Sequence, residues 1–365
     1  MEYVQERITT LHDFDGTAPR GPIERTTVIV PMTSQDVGSD AATQILTILN
    51  QTGPGGVIIP ARVNNGDIGR FNRWADQYAP DATVIWCNSP RIDGLLDDNE
   101  ISSPMGKGRD VWLALGVSTI RTDQEFVIVH DADARSYSAD QIHRLCWPLE
   151  HGFTFSKGYY ARIEDNRLYG RLFRLFIVPL LRALRSQHDH EVIHYLESFR
   201  YALAGEIGMT RSIAGRVRSE PTWGFEMGML GEMFHLAGED RVAQVDLGIH
   251  EHDHRAVGGP GGLAMMSRVV SDAVMRLLAD HEIQPDIPSL RTAYRCEASS
   301  ICLQYGADAA FNGLDYDLDA ELAQIDSYSK AIDRPDADAR LPAWEDVKLD
   351  PSEIQTVSEE EIRTA

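Results

Sequence analysis

The chain has 365 residues, 43% of them apolar, so it can bury a large core as one domain or two. Acids outnumber bases by 56 to 34, a net charge of −22, and a surface this negative repels nucleic acid and anionic membranes. The same surplus fits a salt-rich cytoplasm, where screening blunts self-repulsion, so a halophilic source is one expectation and an ordinary acidic protein the plainer one.

The elements alternate from the start. Residues 1–24 are polar and expected to be loosely held. Thr26 to Pro31 reads as a buried strand ended by a proline, Ser39 to Leu49 as a helix, and Val57 to Pro60 as a second strand after the turn at Gly53-Pro54-Gly55-Gly56. Asp67 to Tyr78 has helical spacing, Thr83 to Trp86 is a third strand, and 88–104 is expected to be a loop. A helix over Arg109 to Ser118 leads into the strand Phe126 to Val129. Further on come helices over Leu168 to Arg185, Glu226 to Leu236 and Ala264 to His281, with a short strand at Arg241 to Val245. Strands alternating with helices imply an α/β, Rossmann-like fold, a mostly parallel sheet flanked by helices. The domain reading is a polar segment at 1–24, a nucleotide-binding domain at 25–268, a helical region at 269–345 and an acidic tail at 346–365 that is expected to be disordered.

The apolar runs are too short or too charged to span a bilayer; Arg174 and Pro179 interrupt the one from Leu172 to Leu184. The first residues carry no basic segment ahead of an apolar stretch, so no signal peptide is expected. The cysteines at 87, 146, 296 and 302 form no Cys-x-x-Cys pair. They read as buried small hydrophobes in a reducing compartment, and the expected location is the cytoplasm.

The strand Phe126 to Val129 runs into His130-Asp131-Ala132-Asp133. Two carboxylates at the carboxyl end of a buried strand lie where ligands of open α/β sheets bind, and they suit a divalent cation that also holds substrate phosphates. Asp-x-Asp by itself is common in surface turns. Gly106-Lys107-Gly108 precedes a helix, so its lysine and backbone N–H groups can meet a phosphate; a flexible surface loop explains it as readily. His250-Glu251-His252-Asp253-His254 places three imidazoles at alternate positions, able to complete a metal site with Asp133 or to form a polar surface turn. Glu226 enters a helix, where an acid is a favourable dipole partner or a hydrogen-bond acceptor for a sugar. Lys157 and Tyr169-Gly170-Arg171 are candidates for an anionic acceptor.

In order and spacing these pieces resemble the glucosyl-3-phosphoglycerate synthase family, retaining GT-A glycosyltransferases related to mannosyl-3-phosphoglycerate synthases. The likeness is strongest from Gly106 to about Ser267 and includes Gly106-Lys107-Gly108, Asp131-Ala132-Asp133, Gly170-Arg171, Ala204-Gly205-Glu206, Gly224-Phe225-Glu226-Met227-Gly228, Ala243 to Gly248, His252 and Met266-Ser267-Arg268. The resemblance implies a GT-A fold with a helical C-terminal extension, a nucleotide-sugar donor, a small anionic acceptor, Mg²⁺ or Mn²⁺, and a homodimer. It implies Asp133 and His252 as metal ligands, and Asp131, Glu226 and Arg171 as catalytic residues. Pro31, Lys107, Asp131, Ala132, Asp133, Gly170, Arg171 and Arg255 would bind donor or acceptor, the loop at His252 to Arg255 closing over the diphosphate.

The chain departs from the family's pattern in three places. Met32-Thr33-Ser34-Gln35 follow Pro31 where the family carries an acid for the nucleoside, and the second strand ends in Pro60-Ala61-Arg62 rather than an aspartate, which leaves UDP and GDP both open as the donor. Phe173 stands where the family has a small hydroxylated residue near the acceptor phosphate. The readings that follow are a hexosyltransferase, with glucose as the expected sugar, acting on 3-phosphoglycerate or a similar small acid in compatible-solute synthesis; a same-fold transferase acting on glycerate, a glycolipid or a glycan; or a non-catalytic nucleotide-sugar binder.

Overall fold

The structure, a computed structural model, describes residues 5–16, 19–252 and 259–365. The strands are Thr9–Leu11 (β1), Thr26–Ile29 (β2), Met32–Thr33 (β3), Gly56–Arg62 (β4), Thr83–Trp86 (β5), Phe126–Val129 (β6), Phe155–Ala161 (β7), Ile163–Glu164 (β8), Arg167–Leu168 (β9), Ile207–Thr210 (β10) and Val242–Ile249 (β11). Among the described residues nine of them form one sheet, in the order β1-β11-β7-β10-β6-β2-β4-β3 with β5 on β4; β8 and β9 pair separately. All pairs in the large sheet are parallel except those of β10, which runs antiparallel to β6 and β7. The expected mostly parallel sheet flanked by helices is the architecture found.

Register decides what meets at the rim. Ile29 pairs with Val129, so β2 and β6 end side by side. Because β10 is reversed, Ile207 pairs with Val129, and its leading residues Gly205-Glu206 lie beside the Asp131 that follows β6. Ile207 also faces Lys157 on β7, and β11 ends nearby at Ile249, where Gly248 at φ +78° breaks the ladder.

The helix Lys107–Thr119 is buried from Gly108 to Ser118, which explains its apolar residues on all sides. Its first turn packs so tightly on the loop at Glu220 that a Cβ on Gly108 would overlap the Glu220 carbonyl, and the Arg109 N–H donates to Pro221 O at 2.8 Å. Helices Val178–Gln187, Gly259–Asp280, Ile287–Asn312 and Leu318–Ala331 form the C-terminal layer. Among the described residues no helix is long and apolar enough to cross a membrane.

Several expectations are corrected. Among the described residues of the polar N-terminal segment, Thr9–Leu11 forms β1, an edge strand of the sheet, and Ile8 is buried beside it. The expected loop at 88–104 contains a helix, Pro90–Asp98, opened by the Ser89 hydroxyl on the Ile92 N–H and by Pro90 in the first turn. The helix expected from Leu168 starts later, as a π-helical stretch Leu172–Ile177 that passes into Val178–Gln187. No boundary separates 268 from 269, since helix Gly259–Asp280 runs straight through. Cys296 is exposed, unlike the other three cysteines.

The acidic tail is not disordered. Trp344 stacks on Trp112 at 4.1 Å, and Pro351–Thr364 forms a helix over β5 and helix Lys107–Thr119. Buried Ile354 and Ser358 anchor it, while its charges face outward. The Ser358 hydroxyl accepts the Trp86 N–H at 2.6 Å and donates to Val84 O at 3.3 Å, so it caps the polar edge of β5. Ser358→Ala leaves that N–H buried without its acceptor and is expected to cost about 1–3 kcal/mol in urea unfolding; a loss below about 0.3 kcal/mol, within the scatter of ordinary surface changes, counts against the capping role.

Candidate functional site

Three distant segments converge at the rim. Lys107 Nζ lies 2.5 Å from Asp131 Oδ1 and 2.8 Å from Glu226 Oε1, with all three side chains largely shielded from solvent. Lys107 comes from the first turn of its helix, Asp131 from the end of β6, and Glu226 from the first turn of helix Phe225–Leu236. Burial alone would lower the Lys107 pKa, but the two carboxylates outweigh it and hold the ammonium well above its ordinary range. Burial would likewise raise Asp131, yet Lys107 keeps it below the usual carboxylate value. Both groups are therefore charged at neutral pH, and the trio carries one excess negative charge.

Gly205 makes this packing possible. A Cβ there would overlap the Asp131 carboxylate, so only glycine lets the strand pass. Beside it Glu206 is buried, and burial followed by the Asp131 charge pushes it up to about 7. His130 and His250 are fully buried and driven down to about 3 and about 4, burial being the main cause in each, so both imidazoles are neutral.

Asp133 and His252 are brought together by backbone pairing. Ala134 bridges to His252, and the Arg135 N–H donates to Glu251 O at 2.8 Å. The His252 N–H donates to Glu164 Oε1 at 2.8 Å. Its ring lies 4.3 Å from that of His250, which stacks on Tyr160 at 4.1 Å. Among the described residues no three His, Cys, Asp or Glu side chains converge as a complete metal cage. A carboxylate and an imidazole are a donor pair that Mn²⁺ or Mg²⁺ accepts, and Mg²⁺ usually takes one or two protein ligands, with phosphate oxygens and water filling the rest. The donor set therefore fits a metal shared with a diphosphate.

The Gly170-Arg171 step stands on the same rim. Gly170 has φ +75°, and a Cβ on it would come within 3.1 Å of the Tyr201 hydroxyl; Tyr201 packs on Tyr160, and Tyr160 on His250. The Arg171 side chain is 45% exposed. Pro31 follows β2, adjacent to β6, and Ala132 is buried between the two aspartates. Arg255 and His254 lie outside the described residues.

Two candidates fall away from the site. Lys157 is 1% exposed and donates to Ala204 O at 2.5 Å, so it supports the Gly205 strand and cannot meet an acceptor; burial draws its pKa down to about 8. Phe173 is 6% exposed and packs on Tyr201 rather than facing a ligand. The first acid after Pro31 is Asp36, and it turns inward, accepting the Thr33 N–H at 2.7 Å and hydroxyl at 3.0 Å. Arg62, at the end of β4, is tied to buried Asp110 at 2.9 Å. The sequence marks Ala204-Gly205-Glu206 without giving it a role, Arg174 enters there only as an interruption of an apolar run, and Glu321 is not singled out. Their importance appears only through contacts between remote segments.

No family model matches the chain. The glucosyl-3-phosphoglycerate synthase of Methanococcoides burtonii is 32% identical over 384 residues, covering 97% of this chain and 92% of that protein. The one from Persephonella marina is 36% identical over 286 residues, covering 74% of this chain and 70% of the relative. Among solved structures, the glucosyl-3-phosphoglycerate synthase of Mycobacterium tuberculosis with Mn²⁺, UDP-glucose and phosphoglyceric acid aligns with TM-score 0.57 at 23% identity, over 77% of this chain and 90% of that one. The fold is GT-A, the fold of nucleotide-sugar glycosyltransferases, with the triad at the rim beyond the carboxyl end of β6. By sequence the chain belongs to the glucosyl-3-phosphoglycerate synthase family.

Proposed function

We propose that the chain is a metal-dependent, retaining glucosyltransferase that moves glucose from UDP-glucose to 3-phosphoglycerate. The observation that carries this reading is the convergence of Lys107, Asp131 and Glu226 on one ion triad at the rim of a GT-A sheet. One relative bearing this name aligns over 97% of the chain and another over 74%, and related structures hold UDP-glucose, phosphoglycerate and Mn²⁺, or UDP and Mg²⁺.

Asp133 and His252 would hold the Mg²⁺ or Mn²⁺ ion, which when bound neutralises charge growing on the departing diphosphate. Lys107 adds a fixed cation beside the donor, and Asp131 keeps that ammonium in place. Glu226, anchored by the same ammonium, accepts a hydrogen bond from the sugar or the acceptor hydroxyl. Arg171 takes the negative charge of the acceptor. Both carboxylates of the triad are engaged by Lys107, which suits hydrogen bonding better than nucleophilic attack. The acceptor oxygen therefore bonds to the anomeric carbon on the face that UDP leaves, and its proton passes to the departing phosphate oxygen. The homodimer that the family resemblance implies is part of this proposal.

A second reading keeps the donor and changes the acceptor. Phe173 stands where the family carries a hydroxylated residue, so the chain lacks that phosphate contact, and glycerate or another small acid is the alternative acceptor. One assay separates the readings. The purified protein receives Mn²⁺ or Mg²⁺ and UDP-glucose, GDP-glucose or GDP-mannose, each with 3-phosphoglycerate or glycerate, and product mass and released nucleotide are read. A metal-dependent glucosyl-phosphoglycerate from UDP-glucose is expected. Glucosylglycerate alone would establish the second reading, and no turnover of any donor would leave a binding protein.

A further inference from the structure

Resting on the assignment of Arg171 to the acceptor, we propose that Arg174 and Glu321 are a positioning pair that leaves the Arg171 guanidinium free for an anionic acceptor. Glu321 sits on helix Leu318–Ala331 of the C-terminal layer and is 3% exposed. Its two oxygens meet Arg174 as a fork: Nη1 to Oε2 at 3.1 Å and Nη2 to Oε1 at 2.8 Å. Arg171 Nε stands 3.7 Å from Oε1, a loose ion pair beyond hydrogen-bond length. One carboxylate therefore faces two guanidiniums, and the buried one takes both of its oxygens.

Arg174 is fixed on several further sides. Its Nε donates to Tyr169 O at 2.9 Å, Nη2 to Leu168 O at 3.4 Å, and its guanidinium lies 4.6 Å from the Tyr305 ring centroid. The N–H groups of Phe173 and Arg174 both donate to Gly170 O at 3.0 Å, just ahead of the π-helical stretch Leu172–Ile177, and such stretches recur at functional sites. The trio Arg171, Arg174 and Glu321 keeps one net positive charge, located on the exposed member. Without Arg174, the buried carboxylate would have Arg171 as its nearest cation and would draw it away from the acceptor.

Steady-state kinetics test this with UDP-glucose saturating and 3-phosphoglycerate varied. R171A is expected to raise the acceptor KM about tenfold or more, as loss of a charge-assisted hydrogen bond does. R174M is expected to raise the acceptor KM about tenfold while leaving the KM for UDP-glucose unchanged. Adding E321Q removes the competing carboxylate, so R174M/E321Q is expected to recover to within about threefold of the parent, as double-mutant coupling requires. A purely structural role predicts instead that R174M lowers kcat and the unfolding temperature and raises the UDP-glucose KM along with the acceptor KM, since an unpaired buried carboxylate weakens the fold as a whole. If R171A leaves the acceptor KM unchanged, the acceptor assignment falls and takes the proposal with it. If R171A raises it and R174M does not, the pairing alone is overturned. Should R174M fail to fold, the double variant decides: an acceptor KM near the parent's supports the proposal, and a rise of about tenfold overturns it.

Discussion

Asp133→Ala is expected to lower turnover by about a thousandfold while leaving the thermal unfolding temperature nearly unchanged, because a bound divalent cation contributes several kcal/mol at the transition state. The backbone around it argues for a local effect. Asp133 lies on the rim beyond β6, outside the sheet ladder, and the strand register is set by buried residues from Phe126 to Val129. His252→Ala should weaken Mn²⁺ binding by at least the roughly ten- to hundredfold that loss of a ligand's supporting partner costs, so that excess Mn²⁺ restores part of the rate. The Ala134–His252 bridge is a backbone pairing and survives loss of the imidazole. Mn²⁺ binding read by electron paramagnetic resonance, with UDP present, separates loss of the ion from loss of chemistry. Asp133→Ala with unchanged Mn²⁺ affinity and more than about a tenth of the parent's rate would sink the metal assignment.

The fold was legible where local pattern and burial agree. The runs Thr83–Trp86 and Phe126–Val129 were read residue for residue because they are compact, mostly β-branched segments buried on both faces. The helix Pro90–Asp98 and the tail helix Pro351–Thr364 were missed because their exposed faces dominate the composition; the tail's fixed position rests on Ile354 and Ser358. Strand β1 is only three residues long and acquires its role from β11. In the site, Lys107, Asp131, Asp133, Glu226 and His252 are marked by the family resemblance more than by spacing, and the structure gathers Lys107, Asp131 and Glu226 into one ion triad. Lys157 misleads, since a lysine on a strand reads as exposed until the strand lies in the middle of a sheet. Glu321 lies 147 residues from Arg174, and no local pattern joins them.

Gly205→Ala should reduce kcat by about a hundredfold in a protein that still folds, since displacing a catalytic group by about 1 Å can cost that much. The added Cβ would occupy the space of the Asp131 carboxylate. Asp131 cannot turn aside freely: its Oδ1 is held by Lys107, which is also held by Glu226. The strand cannot easily retreat either, because the Gly158 N–H donates to Glu206 O at 2.8 Å and Lys157 Nζ donates to Ala204 O. The strain therefore falls on the triad, and the effect should appear in kcat and the UDP-glucose KM together. Arg171, proposed to hold the acceptor, follows Gly170, which lies beyond Tyr201 and Tyr160, so the acceptor KM should stay unchanged. A sharper check uses Asp131→Asn as the background. If the glycine acts through the carboxylate it touches, Gly205→Ala costs far less once that carboxylate has gone. Equal losses in both backgrounds would mean that the glycine serves the strand and not the site.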